Sequence, residues 1–335
     1  MELDALTTPA LVLDADVVEA NLAAMSAALP GSRLRPHVKA HKCTELARMQ
    51  AAAGHPGFTC ATVREAEGMA RAGLGDDLLI ANELFAADRV GELVAAGHRV
   101  TLAVDSPETV QAARDGGVRE VLVDVDVGLR RCGIRAEQAG WLAEQARHAD
   151  LVVRGVMGYE GHAVGLHDRD ERARAVRRAA ARLATARDAV GGDVVSAGGT
   201  GSYDLHAVAT EIQAGSYVLM DTAYGQLGLP FGQALTVLAT VISVNRSGRW
   251  VVVDCGLKAL GMDHGYPSVP GGEVWSCSDE HLVWSPVGVD PLPAVGDRIH
   301  VIPGHCDPTV AYHEWLHVAR DRQVLDRWPV DLRGW

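Results

Sequence analysis

Two textures of apolar and polar positions divide the chain. Up to about residue 225, short apolar runs alternate with alanine-rich stretches that carry helical spacing. The runs predict strands at 34–39, 58–62, 77–81, 99–104, 120–125, 152–157, 194–197 and within 211–220. Between them lie CTELARMQAAAG, VREAEGMARAGL, SPETVQAARDGG and DERARAVRRAAARLATARDAVGG. Alanine and arginine favour helix, and glycine closes several of these stretches at the C-terminal end. Strands that alternate with helices pair in parallel. Eight of them point to a (β/α)8 TIM-type barrel, with an open doubly wound sheet as the other arrangement of the same elements.

After Leu229 the pattern changes. ALTVLATVISVNRSGRWVVVDCG reads as two β-runs joined by a turn at 245–248, and HLVWSPV and DRIHVIPG add further strands. No long helix interrupts them, so the expectation is an all-β C-terminal domain. ALVLD at 10–14 precedes the barrel strands and is free to pair with this domain. The expected division is 15–228 for the barrel, with 1–14 and 229–335 forming the β-rich domain.

The length of 335 residues suits one large barrel plus a smaller domain. No apolar run reaches the roughly 20 residues of a membrane span, and MELDALTTPALVLDAD lacks a secretory pattern. The expected location is the cytoplasm. A net charge of −12 argues against nucleic acid and anionic membranes as partners. Six scattered cysteines without a CxxC pair read as reduced thiols.

In a barrel, the loops after the strands form the active face. Lys39 ends the first predicted strand and Arg131 follows the fifth. Tyr159 and His162 follow the sixth, AGGTGSYD the seventh, and QAGSY lies at the eighth. AGGTGS and AGS suit a phosphate: glycines admit an anion close to backbone N–H groups, and Thr200, Ser202 and Ser216 add hydroxyls. Lys39, in extended geometry on the same face as His37, is a candidate amine for a Schiff base. Arg35, His37, His41 and Lys42 are the neighbouring cations expected to lower its pKa. In IPGHCDPT, an extended backbone would send His305 and Asp307 to one side and Cys306 to the other, making half of a divalent-metal site.

RPHVKAHK, the EAE at 65–67, DVDVGLRRCG, YEGH, SAGGTGSYD, TEIQAGSYVLMD, DCGLKAL and PGHCDP occur in this order. Together they resemble the D-threonine aldolase and D-serine dehydratase family of alanine-racemase-like pyridoxal-phosphate enzymes. The resemblance covers nearly the whole chain. It implies a cofactor-bearing barrel, a β-domain and a homodimer. It gives Lys39 as the Schiff-base residue and Arg131 as the contact to the cofactor's phenolic oxygen, with Tyr159 counted among the cofactor contacts. Thr200, Gly201, Gly215 and Ser216 fall at phosphate-loop positions. His305 and Asp307 match the metal pair of the aldolase branch, whereas the dehydratase branch has H-x-C there.

The activity so implied is retro-aldol cleavage of a D-3-hydroxy amino acid to glycine and an aldehyde. It uses pyridoxal 5'-phosphate (PLP) and a divalent metal, for which manganese, magnesium and zinc all suit N/O ligands. His162 is the candidate base for the hydroxyl proton. The alternatives are dehydration of D-serine or 3-hydroxy-D-aspartate to a 2-oxo acid, and a non-catalytic PLP-binding role in cofactor homeostasis.

Overall fold

The structure, a computed structural model, describes residues 1–288 and 291–335. The chain forms two compact units. The barrel unit comprises Met25–Lys39, Thr44–Gly215 and Leu332–Trp335; the β unit comprises Met1–Ala24, Ala40–Cys43 and Ser216–Asp331.

Strands are numbered along the chain, and β1 (Ala10–Asp14) belongs to the β unit. The barrel unit holds β2 (Phe58–Cys60), β3 (Leu78–Ile80), β4 (Val100–Val104), β5 (Glu120–Asp124), β6 (Val152–Gly158), β7 (Val194–Ala197) and β8 (Glu211–Ile212). They lie side by side in sequence order, every pairing parallel. The run predicted as a strand over 34–39 takes the eighth position by single bridges. Leu34 pairs with Ile212 of β8, and His37 pairs with Thr59 of β2. It forms no regular strand, because Pro36 has no N–H to give a ladder and residues 38–40 tighten into a 3-10 turn.

The helices form where the sequence marks them. Thr62 and Glu65 make a reciprocal capping box, as do Ser106 and Thr109, with Pro107 directly after the Ser106 cap in the first turn. Asp168 caps the long helix Arg169–Val190, which ends at Gly191 with φ 72°. One residue from each of four successive strands, Leu79, Ala103, Leu122 and Met157, builds an apolar cluster of the barrel unit.

Near the N-terminal ends of the strands lies an ionic layer. Arg35 is 5% exposed; its guanidinium donates to Glu211 at 2.8 Å and to Asp77 at 2.7 Å. Arg154 reaches Asp77 at 3.2 Å, Thr101 at 2.7 Å and Glu120 at 3.4 Å. Groups at this pole of a barrel serve stability. Arg35 therefore does not act as a cation beside Lys39, contrary to the sequence expectation: two carboxylates already balance it.

The β unit holds β9 (Leu235–Asn245), β10 (Trp250–Val253), β11 (Gly272–Cys277), β12 (Leu282–Pro286), β13 (Arg298–Val301), β14 (Trp315–Arg320) and β15 (Gln323–Pro329). The sheet runs β11-β12-β10-β9-β1-β14-β15, with β13 also on β9. ALVLD sits inside this sheet, antiparallel to β9 and parallel to β14. Val12 packs there with Leu3, Leu6, Leu238 and Ala319. The unit is mainly rather than wholly β, since helix Cys306–Tyr312 breaks it between β13 and β14. Among the described residues, no helix is long and apolar enough to cross a membrane.

Candidate active site

Lys39 is half-buried in the turn Val38–Ala40, directly after the His37 bridge. Its backbone N–H lies 3.5 Å from His37 Nδ1. The amine thus leaves from a tight turn, not from the extended strand that the sequence suggested.

The loops after β3, β5 and β6 build one small cavity, lined in part by Glu83, Asp124, Arg131, Cys132, Met157 and Tyr159. The Arg131 guanidinium lies 5.7 Å from the centre of the Tyr159 ring, in cation–π range. Burial, together with the charge and hydrogen bond of Glu83, pushes the Asp124 carboxyl well above the ordinary carboxylate range. Burial and Glu83 also push the Cys132 thiol up to about 11. Sequence reasoning passed over Glu83 and Asp124, although Asp124 opens the DVDVGLRRCG motif. His162 is exposed on the short helix Gly161–Val164, its ring near Gly128.

The loop after β7 is shaped by two glycines. Gly198 has φ +80°, and a Cβ on Gly201 would lie 2.0 Å from the Val164 carbonyl oxygen. Thr200, Gly201 and Ser202 are all buried. The Ser202 hydroxyl donates to the Glu160 carboxylate and accepts the Gly199 N–H at 3.2 Å. Ser202, expected on phosphate, thus ties the loop to Glu160 in this structure. Glu160 also accepts from His206 Nε2 at 2.7 Å. Burial pushes the Glu160 carboxyl up, but the His206 hydrogen bond and charge, with the Ser202 hydrogen bond, outweigh it and lower it overall. The only sequence sign of this group was a glutamate inside YEGH.

Gly215 ends its segment of the barrel unit and Ser216 opens the next segment of the β unit. The Ser216 hydroxyl, also expected on phosphate, donates to Asp307 at 3.1 Å. His305 has extended dihedrals, but Asp307 stands in the first turn of helix Cys306–Tyr312. The helix, not the expected extended run, brings Asp307 Oδ1 to 3.8 Å from His305 Nε2. On the other side of the ring, Nδ1 lies 2.9 Å from both Asp263 oxygens, and the His264 ring stacks on His305 at 3.7 Å. Burial beside Asp307 and Asp221 pushes the Cys306 thiol far up, and its S–H donates to Asp307. Asp221 fixes the start of the helix by accepting the Cys306 N–H.

Residues 13–223 match the family model "Alanine racemase, N-terminal domain", and residues 234–319 match "Putative serine dehydratase domain". The chain is 38% identical to a D-threonine aldolase of an Arthrobacter species, over 98% of this chain and 93% of that one. The chain belongs to the D-threonine aldolase and serine dehydratase family. A 3-hydroxy-D-aspartate aldolase from Paracoccus denitrificans (strain Pd 1222) is 33% identical, over 100% of this chain and 94% of that one. Among solved structures, D-threonine aldolase from Filomicrobium marinum superposes with a TM-score of 0.94 at 33% identity, covering 100% of this chain and 98% of that one.

The residues fit the cofactor of an alanine-racemase-like enzyme. A half-buried lysine stands in the tight turn Val38–Ala40, and the loop after β7 has a glycine where any side chain would strike the neighbouring backbone. They also fit a hard divalent ion. His305 and Asp307 offer one nitrogen and one oxygen, and Asp263 engages the opposite ring nitrogen, an arrangement that orients a ligating imidazole.

Proposed function

We propose that this chain is a PLP- and divalent-metal-dependent aldolase that cleaves D-3-hydroxy amino acids of the D-threonine type to glycine and an aldehyde. The carrying observation is the His305-x-Asp307 pair in a family of lyases. Its donors are an imidazole and a carboxylate, and the intervening Cys306 thiol is buried and protonated. A hard N/O site suits a divalent ion, which would supply Lewis-acid chemistry there.

Lys39 would bind the cofactor through its amine, and Arg131, Tyr159, Thr200, Gly201 and the Gly215–Ser216 backbone would hold its ring and phosphate. When bound, PLP supplies an electron sink for the pair left on Cα as the Cα–Cβ bond breaks. His305 Nε2 and Asp307 would hold the metal, with Asp263 keeping the proton on Nδ1. Manganese, magnesium and zinc all match this donor set. His162 takes the proton of the substrate β-hydroxyl as the carbonyl of the aldehyde forms. A proton delivered to Cα then completes glycine. A homodimer belongs to this reading, as does a cytoplasmic location.

The test incubates purified protein, PLP and Mn²⁺ with D-threonine and, separately, with D-serine. Acetaldehyde and glycine in equal amounts from D-threonine, abolished by Lys39→Ala, are expected. Pyruvate and ammonia from D-serine, with no aldehyde from D-threonine, would move the chain to the dehydratase branch. Protein that stays colourless with PLP would remove the PLP reading as a whole.

A further inference from the structure

We propose that Glu160 is a positioning residue for the cofactor's phosphate, acting through Ser202 to preset the glycine loop 198–202. The proposal rests on the reading of this chain as a PLP enzyme.

Glu160 follows β6, and its carbonyl accepts from the Ala163 and Val164 N–H groups, so the short helix Gly161–Val164 fixes its backbone. Its side chain is fully buried. One oxygen, Oε1, takes both the Ser202 hydroxyl and His206 Nε2. The other oxygen, Oε2, and the far nitrogen of His206, Nδ1, have no hydrogen-bond partner. A carboxylate carried into the interior and left half-satisfied is a poor way to hold two loops together. An apolar or amide side chain of that size would avoid the desolvation. The charge has a use in what it does to Ser202. By drawing the hydroxyl proton to itself, Glu160 fixes the Ser202 oxygen so that a lone pair meets the Gly199 N–H. Gly199 is thereby set between Gly198, which needs its positive φ, and Gly201, which abuts the Val164 carbonyl.

Glycines lose more backbone freedom on ordering than other residues. An anion that must order such a loop as it binds loses affinity to that ordering, and a loop ordered beforehand spares it. The Glu160–Ser202–Gly199 chain supplies that prior order. The consequence is selective. Binding of the phosphate should depend on Glu160, and reaction of the aldehyde with Lys39 should not.

PLP and pyridoxal share the aldehyde, and only PLP carries the phosphate. Holoenzyme is stripped with hydroxylamine and retitrated with each, following the lysine-bound chromophore, for wild type, Glu160→Ala, Glu160→Gln, Ser202→Ala and the Glu160→Ala/Ser202→Ala double variant. Loss of a charge-assisted hydrogen bond predicts PLP affinity about 10- to 100-fold weaker in Glu160→Ala. Pyridoxal affinity should stay within about two-fold. Glu160→Gln, which keeps an acceptor for Ser202, should lose less. The double variant should be no worse than the worse single one, because the two residues act in series.

Equal weakening of PLP and pyridoxal, unchanged PLP affinity, or additive losses would each overturn the proposal. If Glu160→Ala fails to fold, the ratio of PLP to pyridoxal affinity in Glu160→Gln and Ser202→Ala decides it alone. Wild-type protein that takes up neither compound would remove the underlying PLP reading; uptake by wild type with no selectivity in the variants removes only the role of Glu160.

Discussion

Replacing Arg35 by methionine tests whether the ionic layer of the barrel unit carries stability as described. Methionine keeps much of the apolar stem and removes the guanidinium. Glu211, with a 9% exposed side chain, then loses its 2.8 Å partner. Asp77, 23% exposed, keeps Arg154 at 3.2 Å. One buried carboxylate rather than two is left uncompensated. The penalty therefore falls at the low end of the range for breaking a buried pair, about 3 kcal/mol. At roughly 2–4 °C per kcal/mol for a unit of this size, the midpoint of thermal unfolding should drop by about 6–12 °C.

The pH dependence has a definite sign. Burial pushes the Asp77 carboxyl up, but the charge and hydrogen bond of Arg35, then Arg154, outweigh it and hold it low. A depressed carboxyl contributes stability that is present above its unfolded value near 3.9 and is lost as pH falls through the lower folded value. Removing Arg35 takes away part of that depression. The gap between wild type and variant should thus be widest near neutral pH and narrow below about pH 4. Adding Glu211→Gln to Arg35→Met removes the stranded charge and should recover part of the loss. Differential scanning calorimetry of the cofactor-loaded protein at several pH values measures all of this. A loss under about 1 kcal/mol, the range of an exposed pair, or no recovery in the double variant would refute the reasoning.

Two further outcomes are expected. Asp263→Ala should weaken Mn²⁺ binding by about 10- to 100-fold, as loss of an outer carboxylate partner does, while leaving PLP uptake intact; electron paramagnetic resonance of free Mn²⁺ reads the first and absorbance the second. Alkylation of exposed Cys132 by iodoacetamide should be slow at neutral pH and rise about tenfold per pH unit toward its raised value of about 11, followed by mass spectrometry of the labelled peptide.

The sequence by itself determined the alternation of strands and helices, the change to β-texture after Leu229, and the order of the motifs. These are readable because apolar periodicity, capping residues and terminal glycines act within a few residues of each other. It also placed the candidate residues in loops that follow the strands, since strand order fixes which loops share a face.

Tertiary structure decided what those residues do with their hydrogen bonds. Ser202 and Ser216 are both hydroxyls beside glycines in the sequence, yet in the fold each gives its proton to a carboxylate, Glu160 and Asp307. Arg35 looked like a neighbour of Lys39 and instead answers Glu211, 176 residues away. Asp263 read from the sequence only as a polar loop residue that could line the substrate pocket, and the fold set it 2.9 Å from His305. A hydrogen bond is sensitive to a few tenths of an ångström, and its partner here comes from dozens or hundreds of residues away along the chain. Local pattern specifies the elements; only their packing pairs donors with acceptors.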